Sequence, residues 1–191
     1  MKKQLAVIFN ADACIGCRAC RTACSLAHGD PPGVSRIKTY TMGPTGKFPR
    51  LSMYFISLAC QQCSDPACVK ACPTGACLKS GEDGTVRIDA NSCVGCGACA
   101  RACPFGAIDF SLRRPFKCDL CAGGTPACAS VCPGEALRVA DVTDFSDKNA
   151  HALRDDSGLG PSGRFILRGA EWIEELPAEF EKKLREGKCD E

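Results

Sequence analysis

Aromatic residues make up only 6% of this 191-residue chain, with a single Trp and two Tyr. A core of ordinary size normally leans on such side chains, because each buries a large apolar area. Hydrophobic residues still total 45%, so a core forms, but something other than large rings must hold it. Histidine is equally scarce: His28 and His151 stand alone in polar stretches, which gives no histidine-based metal or acid–base site. Charge of one sign is missing as well. The formal net charge is +2, with no basic run or stripe, and this argues against nucleic acid as a partner. Long apolar runs are absent too. The stretch from Leu5 to Phe9 is five residues long and is followed by Asn10 and Asp12, too short for an export signal core. The stretch around residues 54–60 is far too short to span a bilayer. The expectation is a cytoplasmic chain with no membrane span of its own.

What the sequence has is cysteine, 18 in all. Sixteen of them fall into four quartets. The first is Cys14-x2-Cys17-x2-Cys20-x3-Cys24, and the second Cys60-x2-Cys63-x4-Cys68-x3-Cys72-Pro73. The third is Cys93-x2-Cys96-x2-Cys99-x3-Cys103-Pro104, and the fourth Cys118-x2-Cys121-x6-Cys128-x3-Cys132-Pro133. Disulfides fit poorly, since cysteines two or three residues apart bridge badly and nothing indicates a secretory context. Zinc ribbons use separated pairs, not runs of three plus one. The third run matches the bacterial ferredoxin pattern C-x2-C-x2-C-x3-C-P throughout, and the others keep its opening pair and closing step. Sixteen thiolates of this kind hold four [4Fe–4S] clusters. Each oxidised core with its thiolates adds −2, so the loaded chain carries about −6 rather than +2.

In a two-cluster ferredoxin the last cysteine of one run ligates the other run's cluster. The x3 step starts a short helix that aims this thiolate at the neighbouring cube, and the proline then releases the chain. Strands are expected at 85–89, entering the third run, and at 107–110, leaving it, with a turn at 80–84 between the second and third runs. Residues 60–110 thus read as one complete two-cluster unit, with Cys60, Cys63, Cys68 and Cys103 on one cube and Cys93, Cys96, Cys99 and Cys72 on the other. An additional hairpin is expected from 36–40 and 52–58, its tip near Gly43-Pro44-Thr45-Gly46. Cys77 aligns with Ile108 and Leu137 after the Cys-Pro of each repeat, so it reads as a small core residue and not a ligand. Arg18, Arg21, Arg101 and Lys117, in or beside the runs, read as solvated surface, with charges that raise the cluster potentials as the alternative. No hydrolase, flavin or nicotinamide signature is present, and the glycine-rich 158–163 stretch lacks a phosphate-loop lysine. No catalytic residue is expected.

Four such runs in about 130 residues resemble the four-cluster ferredoxin-like electron-transfer subunits of molybdenum and tungsten oxidoreductases and of formate–hydrogenase complexes. The resemblance covers about residues 5–140. It implies an α+β fold of two nested bacterial-ferredoxin-like units, an inner one at about 51–112 and an outer one from 1–50 plus 113–140. It also implies the outer pairing: Cys14, Cys17 and Cys20 with Cys132, and Cys118, Cys121 and Cys128 with Cys24. Cys24 departs from the pattern, being followed by Ser25 where the other runs have proline, so the chain should exit differently there. The segment Cys24-Ser-Leu-Ala-His28-Gly, with Ser35-Arg36-Ile37 after it, is similar to the small subunit paired with tungsten aldehyde oxidoreductases and the related benzoyl-CoA reductase. Formate-dehydrogenase and hydrogenase polyferredoxins and a free polyferredoxin are the alternatives; the dimethyl-sulfoxide-reductase type is related, but its subunits usually have a longer gap than the one between Cys121 and Cys128 and a tyrosine-glycine-alanine-proline stretch where this chain has Phe105-Gly106-Ala107-Ile108. The implied partner is a catalytic subunit carrying a tungsten or molybdenum pterin, or a hydrogenase, with a further redox subunit or ferredoxin as a second contact.

Residues 141–191 read as a linker and tail. Trp172, Leu176, Phe180 and Leu184 recur at four-residue spacing, and Pro177 suits the first turn of a helix starting there.

Overall fold

The computed structural model describes residues 3–142, and the expected C-terminal helix and Cys189 lie outside them. Among the described residues, three two-stranded antiparallel sheets, four α-helices and a 3-10 turn (Leu120–Gly123) surround the cysteine runs. β1 (Leu5–Phe9) pairs with β6 (Leu137–Asp141), Leu5 opposite Asp141 and Phe9 opposite Leu137, so the start of the chain closes against the segment after the fourth run. β2 (Lys38–Lys47) and β3 (Arg50–Leu58) form a long hairpin. β4 (Cys77–Lys79) and β5 (Val86–Ile88) form a short one between the second and third runs.

Each helix begins one residue before the third cysteine of its run: α1 (Ala19–His28), α2 (Ala67–Lys70), α3 (Ala98–Ala102) and α4 (Ala127–Ser130). α1 packs on α4 and α2 on α3, so the first run meets the fourth and the second meets the third. Three helices stop at or just before a Cys-Pro step, because proline has no N–H to donate and disfavours a helical residue before it. Cys24-Ser25 lacks that stop. α1 therefore continues for ten residues and ends at Gly29, whose φ of 59° closes the helix in the left-handed region.

Two expectations on strands need correction. The segment 107–110 forms only an isolated bridge, Asp109 with Phe116, because the chain turns directly after it, at Arg113 (φ 55°), and Pro115 has no N–H with which to extend the ladder. The β2–β3 hairpin is longer than expected. Its turn lies between Lys47 and Arg50, while Gly43-Pro44 marks a register shift between Met42 and Thr45.

The larger core gathers Phe9, Tyr40, Met42, Leu58 and Leu137 around Cys24, Cys60, Cys118 and Cys128. The smaller one joins Val86 and Ile108 to Cys68, Cys77 and Cys99. Cysteines thus occupy positions that aromatic or aliphatic residues fill elsewhere. Burial of Phe9, Ile37, Met42 and Leu58 contributes about 1.5–3 kcal/mol each.

Candidate iron–sulfur centres

The opening of each run is bent by a left-handed residue just before its second cysteine: Gly16 (φ 70°), Gln62 (48°), Gly95 (67°) and Leu120 (55°). This conformation costs about 1 kcal/mol or more at a residue with a side chain. It recurs because it curls three cysteines around one hollow and turns successive N–H groups inward, as in an anion-binding nest. Gly16 has a second reason to be glycine. A Cβ there would stand 2.6 Å from the Phe55 ring.

A second repeated device follows the three Cys-Pro steps. The third residue after the cysteine is again left-handed: Gly75 (φ 68°), Gly106 (55°) and Glu135 (50°). The turn aims backbone N–H groups back at the sulfur. The Ala136 N–H donates to Cys132 Sγ at 3.2 Å. Those of Ala107 and Phe105 reach Cys103. The Cys72 thiol receives the Cys77 N–H above all, then the Thr74 hydroxyl and the N–H groups of Thr74 and Ala76, and its pKa falls to about 7. Donors of this kind stabilise a thiolate.

The runs combine in a definite way. One hollow is lined by Cys14, Cys17 and Cys20 together with Cys132. A second is lined by Cys60, Cys63 and Cys68 together with Cys103. Cys24 is pushed up to about 12 by burial and then by the nearby Cys128; Arg36 lowers it and Cys121 raises it further. Cys99 lies in the field of Cys93. Cys77 has both Cys99 and Cys72 beside it. Gly134 adds a tie between the first and fourth runs, since its backbone approaches so closely that a Cβ would meet the Ala13 carbonyl oxygen.

The hollows suit iron–sulfur cubes. Burial raises Cys68 to about 12 and Cys128 to about 11, and the neighbouring cysteines add to both shifts. Four thiolates gathered in such a place repel one another and lose hydration, and a cationic iron core relieves both costs. Among the described residues no three His, Cys, Asp or Glu side chains converge on a single-ion site. Thiolates around a cube stand further apart than around one ion, and the three-plus-one sets that line the hollows are the ligand pattern of a cube. The Thr39 hydroxyl, buried with no partner among the described residues, also lines the first hollow.

Burial separates the sites. Cys60 and Cys118 are buried, whereas Cys17 and Cys96 are exposed. Cys128 interacts with Cys20, Cys118 with Cys60, and Cys77 with both Cys68 and Cys99. Cysteines of the first run thus neighbour those of the fourth, the fourth those of the second, and the second those of the third. Cys77 itself is buried in the smaller core with Val86 and Ile108.

Several polar residues matter more than their spacing suggested. Lys117, read as solvated surface, is buried instead: its Nζ donates to the carbonyl oxygens of Val86 and, at 2.8 Å, Cys118. Gln62, fully buried, donates from Nε2 to the Cys118 carbonyl at 2.9 Å and accepts the Val86 N–H at 2.7 Å. Lys79 Nζ donates to the Cys63 carbonyl at 2.7 Å. His28 faces the Cys24 carbonyl at 2.9 Å and Asp119 at 3.1 Å, and Arg36, paired bidentately with Asp30, brings its guanidinium to Asp119 as well. Arg101 is exposed as expected, with its guanidinium on the Cys96 carbonyl. Only a lysine one residue before Cys118 hinted at any of this.

The family model described as "4Fe-4S dicluster domain" matches residues 51–142, and "4Fe-4S binding domain" matches residues 5–26. The polysulfide reductase B polypeptide of Wolinella succinogenes is 36% identical over 171 residues, which is 84% of this chain and 88% of that protein. Protein NrfC of Escherichia coli (strain K12) is 35% identical over 156 residues, 78% of this chain and 70% of that protein. Thiosulfate reductase electron transfer subunit PhsB of Salmonella typhi is 35% identical over 147 residues, covering 72% and 76%. Among the described residues no helix is long and apolar enough to cross a membrane. With its cysteine runs, its hollows and these relatives, the chain belongs to the ferredoxin-type 4Fe-4S proteins that serve oxidoreductase complexes as electron-transfer subunits rather than as catalysts.

Proposed function

We propose that this chain relays electrons through four [4Fe–4S] clusters between a molybdenum- or tungsten-pterin catalytic subunit and a second redox partner. The sixteen quartet cysteines are the ligands, wired as two nested units. The observation that carries this reading is that each cysteine-lined hollow takes three thiols from one run and one from another, Cys132 in the first and Cys103 in the second. The neighbours of Cys24 and the packing of α1 on α4 support the outer pairing in the same way. When bound, the clusters supply one-electron chemistry. The chain's own residues hold them, shield the central pair from water and set their potentials.

The relatives favour a catalytic subunit that reduces sulfur compounds such as polysulfide or thiosulfate. The 24–29 segment pointed instead to the aldehyde oxidoreductase type, and none of the relatives named above is of that kind. The test is anaerobic isolation of the chain with whatever accompanies it, followed by metal analysis and mass spectrometry. About sixteen iron and sixteen sulfide per chain are expected, together with a subunit containing molybdenum or tungsten. Zinc in place of iron, or half this iron after full reconstitution, overturns the ligand set. Isolation without any oxidoreductase subunit overturns the partner.

A further inference from the structure

The β2–β3 hairpin has two unlike faces. Ile56 and Leu58 point with Tyr40 and Met42 into the core. By the two-residue period of a strand, Leu51, Met53 and Phe55 share the opposite face. Leu51 is 56% exposed and Met53 54%, and Phe48 at the tip reaches 89%. At the base, Phe55 lies on Gly16 and lines the first-run hollow with Ile15, Gly16 and Cys17. Ile15 is 64% exposed, and Cys17 is exposed beside it. An apolar strip therefore runs from the hairpin tip to the open edge of one cysteine site. Apolar surface concentrated in this way on a soluble face marks an interaction site.

The hairpin's own charged residues have one sign, and at its tip, away from Asp109 that faces Lys38, they stand unopposed. Residues 38–58 contain Lys38, Lys47 and Arg50 and no Asp or Glu. Lys47 and Arg50, both exposed at the tip, make no ion pair among the described residues. We propose that this strip is the docking port of a redox protein whose complementary surface is apolar, rimmed by carboxylates and backed by its own electron-carrying group. Charge complementarity selects the carboxylate rim. Continuity with Cys17 selects a redox protein over a lipid surface, because a cluster edge covered by lipid has nothing to exchange electrons with. The inference rests on the relay reading above and adds to it which surface receives a partner and what that partner presents.

The test uses the isolated complex, with two kinds of variant. In the first, Leu51 is replaced by the photo-cross-linker p-benzoylphenylalanine. Cross-links to an acidic, apolar segment of a redox subunit are expected. Cross-links to lipid, to a second copy of this chain, or to no partner overturn the port. In the second, Leu51→Asp combined with Met53→Asp places negative charge on the strip. Iron content and the spectrum of the dithionite-reduced clusters should stay unchanged, while electron exchange with the partner falls at least tenfold. Leu78→Asp, at an exposed position of β4 remote in sequence, is the control and should leave that rate unchanged. Vesicles of phosphatidylcholine with 30% phosphatidylglycerol should not retain the chain, and retention abolished by the double variant would assign the strip to a membrane instead. An intact complex whose electron exchange ignores the strip sinks the port and leaves the relay standing. A chain isolated without an oxidoreductase partner sinks the relay reading, and the port with it.

Discussion

Replacing Lys117 with Met isolates the electrostatic contribution of one buried cation to the middle of the relay. The side chain is 4% exposed, and its charge lowers the pKa of Cys68, Cys103 and Cys118 against the burial that raises all three. Reduction adds one negative charge to a cluster, so a nearby cation favours the reduced form. At an effective dielectric constant of about 20, a unit charge roughly 8–10 Å away contributes about 2 kcal/mol. Since about 1.4 kcal/mol corresponds to 59 mV for one electron, Lys117→Met should lower the potential of the Cys60/Cys63/Cys68/Cys103 cluster by roughly 50–100 mV. Methionine keeps the length of the stem, but it takes the lysine donor from the Val86 carbonyl and leaves the Cys118 carbonyl to Gln62 alone, at about 1–3 kcal/mol of stability. Lys117→Arg retains the charge and should return most of the potential even where it packs less well. EPR-monitored redox titration of the complex resolves the shift. The reasoning fails if no central cluster moves, if the first-run cluster moves equally, or if the Arg variant shifts as far as Met.

Three further outcomes follow from the geometry. Cys24→Ala should damage the cluster of Cys118, Cys121 and Cys128 and spare that of Cys14, Cys17 and Cys20, as crystallography or resolved EPR of the variant would show; loss at the Cys60 site would instead indicate linear wiring. Cys77→Ala should keep full iron content and cost on the order of 1 kcal/mol in thermal or denaturant unfolding, since it trims a small buried group; loss of four irons would make Cys77 a ligand. Gly16→Val must combine a left-handed backbone with a Cβ 2.6 Å from the Phe55 ring, so it should cost several kcal/mol and deplete the first-run cluster first, read as iron content and unfolding midpoint.

The cysteine quartets were legible in the sequence because a ligand run is a local object. Its spacing fixes which thiols can share a face, and the left-handed residue before each second cysteine lies inside the run. The same holds for β4–β5, where a glycine-flanked turn joins two short apolar strands. What escaped the sequence depends on distant partners. Lys117 looks like any lysine until Val86 and the Cys118 backbone close over it. His28 gains its role only when α1 brings it against Asp119, 91 residues further on. The strand expected after the third run failed for a nearer reason: the turn at Arg113 and the missing N–H of Pro115 leave 107–110 with one bridge. The subfamily signal in the 24–29 segment was also weak. That helix continues because Cys24 is not followed by proline, which is a statement about chain geometry and not about a substrate.

The shortage of aromatic residues and the arrangement of the sites have a common explanation. In both cores, cysteines stand where large apolar side chains normally would, so each cluster would act as a core element as well as a carrier. Folding and cluster insertion are then coupled, as in other small metal-built domains. The coupling also decides where solvent reaches. Burial weakens water's screening and strengthens the effect of nearby fixed charges. Cys60 and Cys118 are buried, with Lys117 and Gln62 tied into the backbone between them, so the central pair would be governed by fixed protein groups. Cys17 and Cys96 are exposed, and each has an exposed apolar neighbour two positions earlier, Ile15 and Val94. In the second and fourth runs that position holds Gln61 and Asp119, both turned to internal hydrogen bonds. One repeated loop thus differs at a single side chain: an exposed aliphatic residue where the site lies open, and a hydrogen-bonded polar residue where it turns to the interior. On the nested wiring, the two open loops fall at the two ends of the chain of clusters, where electrons must enter and leave.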